Sequence, residues 1–259
     1  MEQPHLKACI AAAEAGGEVL LRWFRHLDAA SVGEKTKHDP VSAADKESEA
    51  VIQAELAARF PDYRFLGEES GASGQGEGPR WIVDPLDGTL NFVRGFPHWC
   101  VSVALWDDQG PLAGCVWDPL RQDLFAAARG QGASWNGRPM AVTARPGLDG
   151  AFLATGFAWQ LGERWPAYNQ ALSRIHPRAQ GIRRAGSAAL DLAHTACGIY
   201  DGFFELGLKL WDLGAGVLLV REAGGEVSDW QGGGTWPETG NIVAGAPGVR
   251  RGVVAVVRD

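Results

Sequence analysis

From Trp81 to Phe92 an apolar run, Trp81-Ile82-Val83, meets Asp84-Pro85-Leu86-Asp87 and then Gly88-Thr89-Leu90. A chain written this way carries a strand to its end, turns on a proline and opens a helix at the Gly-Thr step. Asp84 and Asp87 are hard oxygen ligands of the kind that Mg²⁺, Mn²⁺ or Ca²⁺ prefers. Pro85 stiffens the turn, so that the Leu86 carbonyl can serve as a further ligand. The amides of Gly88 and Thr89, at the start of a helical turn, favour an anion. A cation site and an anion site share this short stretch. Taken alone, the same residues also suit an acidic surface turn, because Asp, Pro and Gly dominate turns for conformational reasons.

The surroundings narrow the choice. With 259 residues there is length for a substantial core, and a net charge of -7 argues against a nucleic-acid partner, which needs a basic stripe. Carboxylates gathered in one place repel a phosphate unless divalent cations invert the local field. Cys9, Cys100, Cys115 and Cys197 lack Cys-x-x-Cys spacing. Neither a zinc site nor a disulfide framework is expected, and a reducing compartment fits. Met1 to His5 shows no basic and apolar leader, and no stretch approaches membrane-spanning length. The expectation is a cytoplasmic protein without a membrane partner.

Along the chain, apolar residues at helical spacing predict a helix from His5 to Leu27, weakened at Gly16-Gly17. A polar connection, Lys35 to Val41, leads to Ser42 and Asp45, which read as a helix cap before Val51, Ile52, Leu56 and Phe60. Tyr63 to Leu66 is a strand running into Gly67-Glu68-Glu69. Adjacent glutamates on a strand point to opposite faces, so both reach one site only if the strand ends or bends there, which Gly67 permits. Ser70 to Pro79 reads as a flexible excursion. Then the period becomes two, with strands His98–Trp106, Leu112–Trp117, Leu124–Ala128 and Gly132–Trp135, and Asn136-Gly137 signals a hairpin. His98 has no partner spacing and reads as structural.

From Phe152 the pattern alternates: strand Phe152–Thr155, helix Glu163–Ile175, strand Gly181–Arg184, helix Ala188–Cys197, strand Gly202–Leu206 and helix Leu213–Ala223, closed by Gly224. A Gly-rich loop from Ser228 to Asn241, a strand at Ile242–Ala244 and a helix Pro247–Val257 complete it. Asp212 suits a structural role at a helix start, but its Trp211 neighbour and the following Gly224-Gly225 favour ligation. Glu205 reads equally as an exposed charge at a strand end.

Gly67-Glu68-Glu69-Ser70, Asp84-Pro85-Leu86-Asp87-Gly88-Thr89, Trp211-Asp212 and Gly224-Gly225 stand in that order. The series resembles the lithium-sensitive, Mg²⁺-dependent phosphatase superfamily that includes the inositol monophosphatases, over the span from Lys37 to Gly225. The resemblance implies an α/β fold, a layered α-β-α-β-α sandwich in one unit over 1–259. Its N-terminal half, 1–145, is an antiparallel meander and its second half, 146–259, is mixed α/β. A homodimer is implied. By position, Glu68, Asp84 and the Leu86 carbonyl hold a first Mg²⁺; Asp84 bridges to a second with Asp87 and Asp212; Glu69 supports the shell or a third ion. Two or three Mg²⁺ per site follow.

The same resemblance implies a metal-activated water oriented by Thr89 with Asp45 behind it, Glu68 completing the catalytic set, and no covalent intermediate. Asp87, Gly88, Thr89, Gly186, Ser187, Ala188 and Asp212 bind substrate, Glu205 takes polyol hydroxyls, and Lys37 lies on a loop that is mobile in the family. Arg183 to Leu192 is similar to the inositol monophosphatase branch, which points to inositol monophosphate or a similar small polyol phosphate. Histidinol-phosphate, fructose-bisphosphate and 3'-phosphonucleotide phosphatases are the rivals within the superfamily. From another class, a regulatory binding partner of transcription machinery stays open. A calcium-binding module lacks its Asp-x-Asp-x-Asp-Gly loop here. Two departures from the family pattern are Gly214, where an alanine is usual, and a short, glycine-rich C-terminal segment.

Overall fold

In the computed structural model, which describes residues 4–27, 32–36, 39–74, 78–157 and 159–258, the N-terminal amphipathic segment forms α1 (Pro4–Trp23). The helix closes short of the expected Leu27, where Arg25 takes a positive φ of 64°. Gly16 and Gly17 mark close approaches of side chains, since a Cβ would come 2.7 Å from Ile52 at the first and 2.7 Å from Trp117 at the second. The expected polar connection is instead a hairpin, β1 (Val32–Thr36) and β2 (Asp39–Ser42). Lys37 lies outside the described residues. Helix α2 (Ala43–Arg59) follows.

Strand β3 (Arg64–Gly67) pairs with β4 (Gly71–Ser73), so part of the expected loose excursion is sheet edge. Next come β5 (Arg80–Asp87), the short helix α3 (Thr89–Val93), β6 (Cys100–Asp107), β7 (Gly110–Asp118), β8 (Asp123–Ala128), β9 (Ala133–Trp135) and β10 (Arg138–Met140). They form one sheet in the order β10-β9-β8-β7-β6-β5-β3-β4. Every pair is antiparallel except β3 and β5, which run parallel. Asn136 and Gly137 both have positive φ, as the two-residue hairpin requires.

The second half holds β11 (Phe152–Thr155), α4 (Trp165–Ile175), β12 (Gly181–Arg183), α5 (Ala188–Ala196), β13 (Gly202–Glu205), α6 (Leu210–Leu213), α7 (Gly216–Glu222), β14 (Glu226–Ser228), α8 (Trp236–Thr239), β15 (Ile242–Gly245) and α9 (Pro247–Arg258). A 3-10 turn, Trp159–Arg164, precedes α4, which begins at Trp165 where the expected helix began at Glu163, and both end at Ile175. The strand order is β12-β11-β13-β15-β14, with β11 parallel to both neighbours and β15 antiparallel to both of its own. The helix expected from Leu213 to Ala223 is divided at Gly214-Ala215. The Trp106 indole takes the Gly214 carbonyl at 3.1 Å, and the Leu218 amide turns to Ala215 instead. Its C-terminus forms as expected: Gly224 has φ 83°, its amide donates to Arg221, and the Gly225 amide donates to Val220. The glycine-rich stretch contains α8 and is ordered around Asp229, which accepts the amides of Gln231, Gly233 and Thr235.

Helices α1 and α2 cover one face of the large sheet; α5, α6 and α7 fill the space between the sheets; α4 and α9 cover the far side of the smaller one. These are the five layers of the α-β-α-β-α expectation. Three apolar clusters fill the interfaces, the middle one continuous from the large sheet through α5 and α7 to the smaller sheet, and Trp81, Trp99, Trp230 and Trp236 are among the buried side chains. No described helix is long and apolar enough to cross a membrane.

Candidate active site

Because β3 and β5 are parallel neighbours, the chain that leaves one and the motif that ends the other emerge at the same edge. Strand β3 stops at Gly67, and Glu68 to Ser70 form a turn, with the Glu68 amide donating to the Val83 carbonyl at 3.2 Å. This is the bend that lets both glutamates leave the sheet plane. Its cause is a residue that sequence reasoning missed. Glu49, buried on α2, accepts the amides of Glu69 and Ser70 at 2.8 and 2.7 Å. A Cβ on Gly67 would come 2.3 Å from the Glu49 carboxylate, so glycine is needed there for space.

Strand β5 keeps its pairing with β6 to Asp84, slips its register, and resumes at Asp87 opposite Cys100. The slip interrupts the strict alternation of faces between Asp84 and Asp87. The Leu86 amide donates to Asp84 Oδ1 at 3.0 Å, and Ser48 donates to the Pro85 carbonyl at 3.1 Å. Gly88, with φ 97°, has no room for a side chain: a Cβ would lie 3.0 Å from the His98 carbonyl and 3.3 Å from that of Gly186. Among the described residues no backbone acceptor takes the amide of Gly88 or Thr89. The Thr89 hydroxyl lies 3.2 Å from Asp45 Oδ1 and 3.1 Å from the Leu86 carbonyl, to either of which it can donate. Asp45, expected as a cap, thus faces the Asp-Gly-Thr block across the α2 face it shares with Ser48 and Glu49.

Asp87 is held by the start of α5. Its Oδ2 accepts the Ser187 hydroxyl at 2.6 Å and the Ala189 amide at 2.7 Å. The expected substrate segment Gly186-Ser187-Ala188 therefore serves, in this structure, to anchor Asp87, and Ser187 also caps α5 through the Leu190 amide. Asn91, likewise unforeseen, donates to the carbonyls of His98 and Ala185 at 2.7 and 3.0 Å and locks the two halves beside Gly88. Asp212 lies in the first turn of α6 and accepts the Lys209 amide at 2.7 Å, so its structural role at the helix start is real. Glu205 is not the exposed charge that a strand end allowed. It is buried at the end of β13, and a Cβ on Gly156 would come within 2.2 Å of its carboxylate.

The electrostatics single out the same acids. Burial lifts Asp84 well above the ordinary carboxylate range, and the charges of Glu68, Asp87 and Asp212 lift it further. Asp212 is raised by burial and then by Asp87 and Glu68. Burial pushes Asp87 up to about 6 against the opposing hydrogen bonds of Ser187 and Ala189. Mutually destabilised, all-oxygen acids are the donor set that a hard divalent cation relieves, and in that respect Glu68, Asp84, Asp87 and Asp212 fit Mg²⁺. Among the described residues, no three His, Cys, Asp or Glu side chains are already drawn into ion-holding geometry. The acids would have to close around an ion. Glu69 stands half-buried beside them. His98 is buried with its pKa lowered to about 4 by burial, as suits a structural histidine.

A family model described as Inositol monophosphatase family matches residues 1–258. Nus factor SuhB of Xylella fastidiosa is 46% identical over 232 residues, 90% of this chain and 84% of that protein. Nus factor SuhB of Escherichia coli is 42% identical over 257 residues, 99% of this chain and 96% of that one. Among solved structures, extragenic suppressor protein suhB from Bartonella henselae superposes with a TM-score of 0.93 at 39% identity, covering 99% of both chains. An inositol monophosphatase from Anabaena superposes with a TM-score of 0.87 at 37% identity, covering 98% of this chain and 94% of that one.

Proposed function

The chain belongs to the inositol monophosphatase family, a generally Mg²⁺-dependent phosphatase family that binds small phosphorylated substrates, and from that premise we propose a phosphomonoesterase for inositol monophosphate or similar small polyol phosphates. The observation that carries this reading is the Thr89 hydroxyl set between Asp45 and the Leu86 carbonyl, at the edge where Glu68, Asp84, Asp87 and Asp212 influence one another. In it, Glu68, Asp84, the Leu86 carbonyl, Asp87 and Asp212 would hold two ions, with Glu69 at a third. Bound Mg²⁺ would neutralise the phosphoryl oxygens, acidify the attacking water and steady the leaving oxygen.

The chain supplies the rest. Thr89 donates its proton to Asp45, which leaves its lone pairs to accept one from the attacking water, and the carboxylate of Asp45 draws that proton onward. The amides of Gly88 and Thr89 would donate to the phosphoryl oxygens. Asp87, anchored by Ser187 and Ala189, and Asp212, anchored by the Lys209 amide, keep their positions while charge moves between them. Glu205, buried at the far side, would take hydroxyls of the alcohol. Gly186, Ser187, Ala188 and Lys37 belong to this proposal through the resemblance alone. A cytoplasmic homodimer is part of the same reading.

Phosphate release from inositol 1-phosphate, glycerol 2-phosphate, histidinol phosphate and 3'-phosphoadenosine 5'-phosphate tests it, with Mg²⁺, with chelator and with Asp84→Asn. Release from the polyol phosphates, lost with chelator and reduced at least about 100-fold in the variant, is expected. No release from any of them, with metal bound, would sink the reading.

A second reading has its own support in the Nus factor names of relatives above 40% identity. In it the chain also binds transcription machinery. Capture of RNA polymerase components on the immobilised chain, surviving Asp84→Asn, is the expected result; loss of capture in that variant would tie any binding to the metal site.

A further inference from the structure

The hydrogen bond from Ser187 to Asp87 has a third member, the thiol of Cys100. Strand β6 opens at Cys100, which stands opposite Asp87 only because β5 has slipped by one residue; in the register of Asp84 and Ser102 the residue there would be Trp99. Cross-strand neighbours share a face. Cys100 is fully buried and belongs to the apolar cluster of the middle layer. Its Sγ nevertheless lies 3.6 Å from Ser187 Oγ and 4.0 Å from Asp87 Oδ2.

Counting donors fixes the direction of these contacts. The Ser187 hydroxyl has one hydrogen and two lone pairs. The hydrogen goes to Asp87 Oδ2 at 2.6 Å, because a carboxylate accepts far better than a thiol sulfur. One lone pair takes the Leu190 amide at 3.4 Å. The other is left for Cys100, whose sulfur keeps its hydrogen, since a thiolate buried beside a carboxylate is strongly disfavoured. The thiol therefore donates to Ser187, and Ser187 donates to Asp87. With the Ala189 amide at 2.7 Å, these contacts converge on one carboxylate oxygen, Oδ2. A cysteine suits the place because a thiol is small and apolar enough for the cluster and still carries a weak donor.

We propose that Cys100 is a positioning residue for the candidate ion ligand Asp87. Its S–H holds the Ser187 hydroxyl in the one orientation that grips Asp87 by Oδ2, and Oδ1 is thereby kept for the cation. A hydroxyl with a vacant lone pair can turn; one held on both sides does not. The proposal rests on the reading of Asp87 as a Mg²⁺ ligand and on no feature of the substrate.

The test uses the full chain, and Mg²⁺ affinity is measured by titration calorimetry without substrate, so that turnover is not needed. Cys100→Ala is expected to weaken Mg²⁺ about five- to ten-fold, the low end for an outer hydrogen bond because a thiol is a weak donor. Cys100→Ser, which keeps a donor, should stay within about two-fold. Cys115→Ala removes the same volume from the cluster on the α1 side of the large sheet and should leave the affinity unchanged. Adding Cys100→Ala to Ser187→Ala should cost little more than Ser187→Ala alone. In the infrared, the S–H stretching band lost in Cys100→Ala should lie below that of a free thiol and move when Mg²⁺ binds.

Unchanged Mg²⁺ affinity in Cys100→Ala, an equal loss in Cys115→Ala, additive losses in the double variant, or a band at the free-thiol position each overturn the proposal. Should Cys100→Ala fail to fold, the same band, assigned by its loss in Cys100→Ser, decides. If affinity and band behave as expected while no phosphate is released from any polyol phosphate, the role of Cys100 stands and the phosphomonoesterase reading falls. Absence of Mg²⁺ binding in the unaltered chain would overturn both.

Discussion

The Asp87 carboxylate accepts the Ser187 hydroxyl at 2.6 Å, tying the end of β5 to the start of α5 across 100 residues of chain. The same serine accepts the Leu190 amide, so one side chain caps a helix and orients a candidate ligand from the other half. Ser187→Ala is expected to cost about 1–2 kcal/mol in urea unfolding through the lost cap. It should also weaken Mg²⁺ binding about ten-fold in calorimetry, because the hydrogen bond that favours ionised Asp87 is gone. Unaltered Mg²⁺ affinity would show that the Ala189 amide suffices.

Thr89 and Asp45 should act as a unit. Thr89→Val keeps the shape but removes the hydroxyl, and kcat on a polyol phosphate is expected to fall by about 10²–10⁴. Thr89→Ser should recover most of it. Asp45→Asn combined with Thr89→Val should cost little more than Thr89→Val alone, since both break the same contact.

Glu49 and Gly67 make a packing pair. Glu49→Ala leaves the amides of Glu69 and Ser70 without their acceptor and should destabilise the fold by about 1–3 kcal/mol. Gly67→Ala should cost about as much by collision with the Glu49 carboxylate. In the double variant the collision is absent. Denaturant unfolding of all four proteins should therefore give a sum well short of additive; strict additivity would show the two residues to be independent.

The pH dependence of the metal-free chain carries a sign. Burial raises Glu205 from its ordinary value to about 8, partly opposed by Arg184. An acid with a raised folded pKa contributes stability that is complete below its unfolded value and lost as pH climbs through the folded one. In chelator, the melting temperature of the unaltered chain should fall between pH 5 and 8.5 relative to Glu205→Gln. Asp87, at about 6, adds to the absolute fall early in that window. Parallel melting curves for the two proteins across the window would refute the raised value.

Much of the fold was legible because it rests on local pattern. The period-two strands, the Asn136-Gly137 turn and the Gly224 helix end formed where the residues called for them. The hairpin before α2 was missed because the sequences of its strands, Val32–Thr36 and Asp39–Ser42, carry no apolar alternation. The division of the Leu213–Ala223 helix was missed because its cause, the Trp106 indole, comes from another layer. Glu49 and Ser48 could have been found: both share the buried face of α2 with Ile52 and Leu56, and a polar residue on an apolar stripe asks for a partner.

What the sequence determined by itself is the list of acids and the strand-to-helix step that carries them, because ligand chemistry and turn conformation are properties of adjacent residues. Only the tertiary structure decided which distant groups meet. The parallel pairing of β3 with β5 brings Glu68 beside Asp84, α5 presents Ser187 to Asp87, and the second sheet buries Glu205 against Gly156. Contacts across 100 residues depend on how layers stack, and burial, which sets the charge state of every acid in the site, exists only once they have stacked.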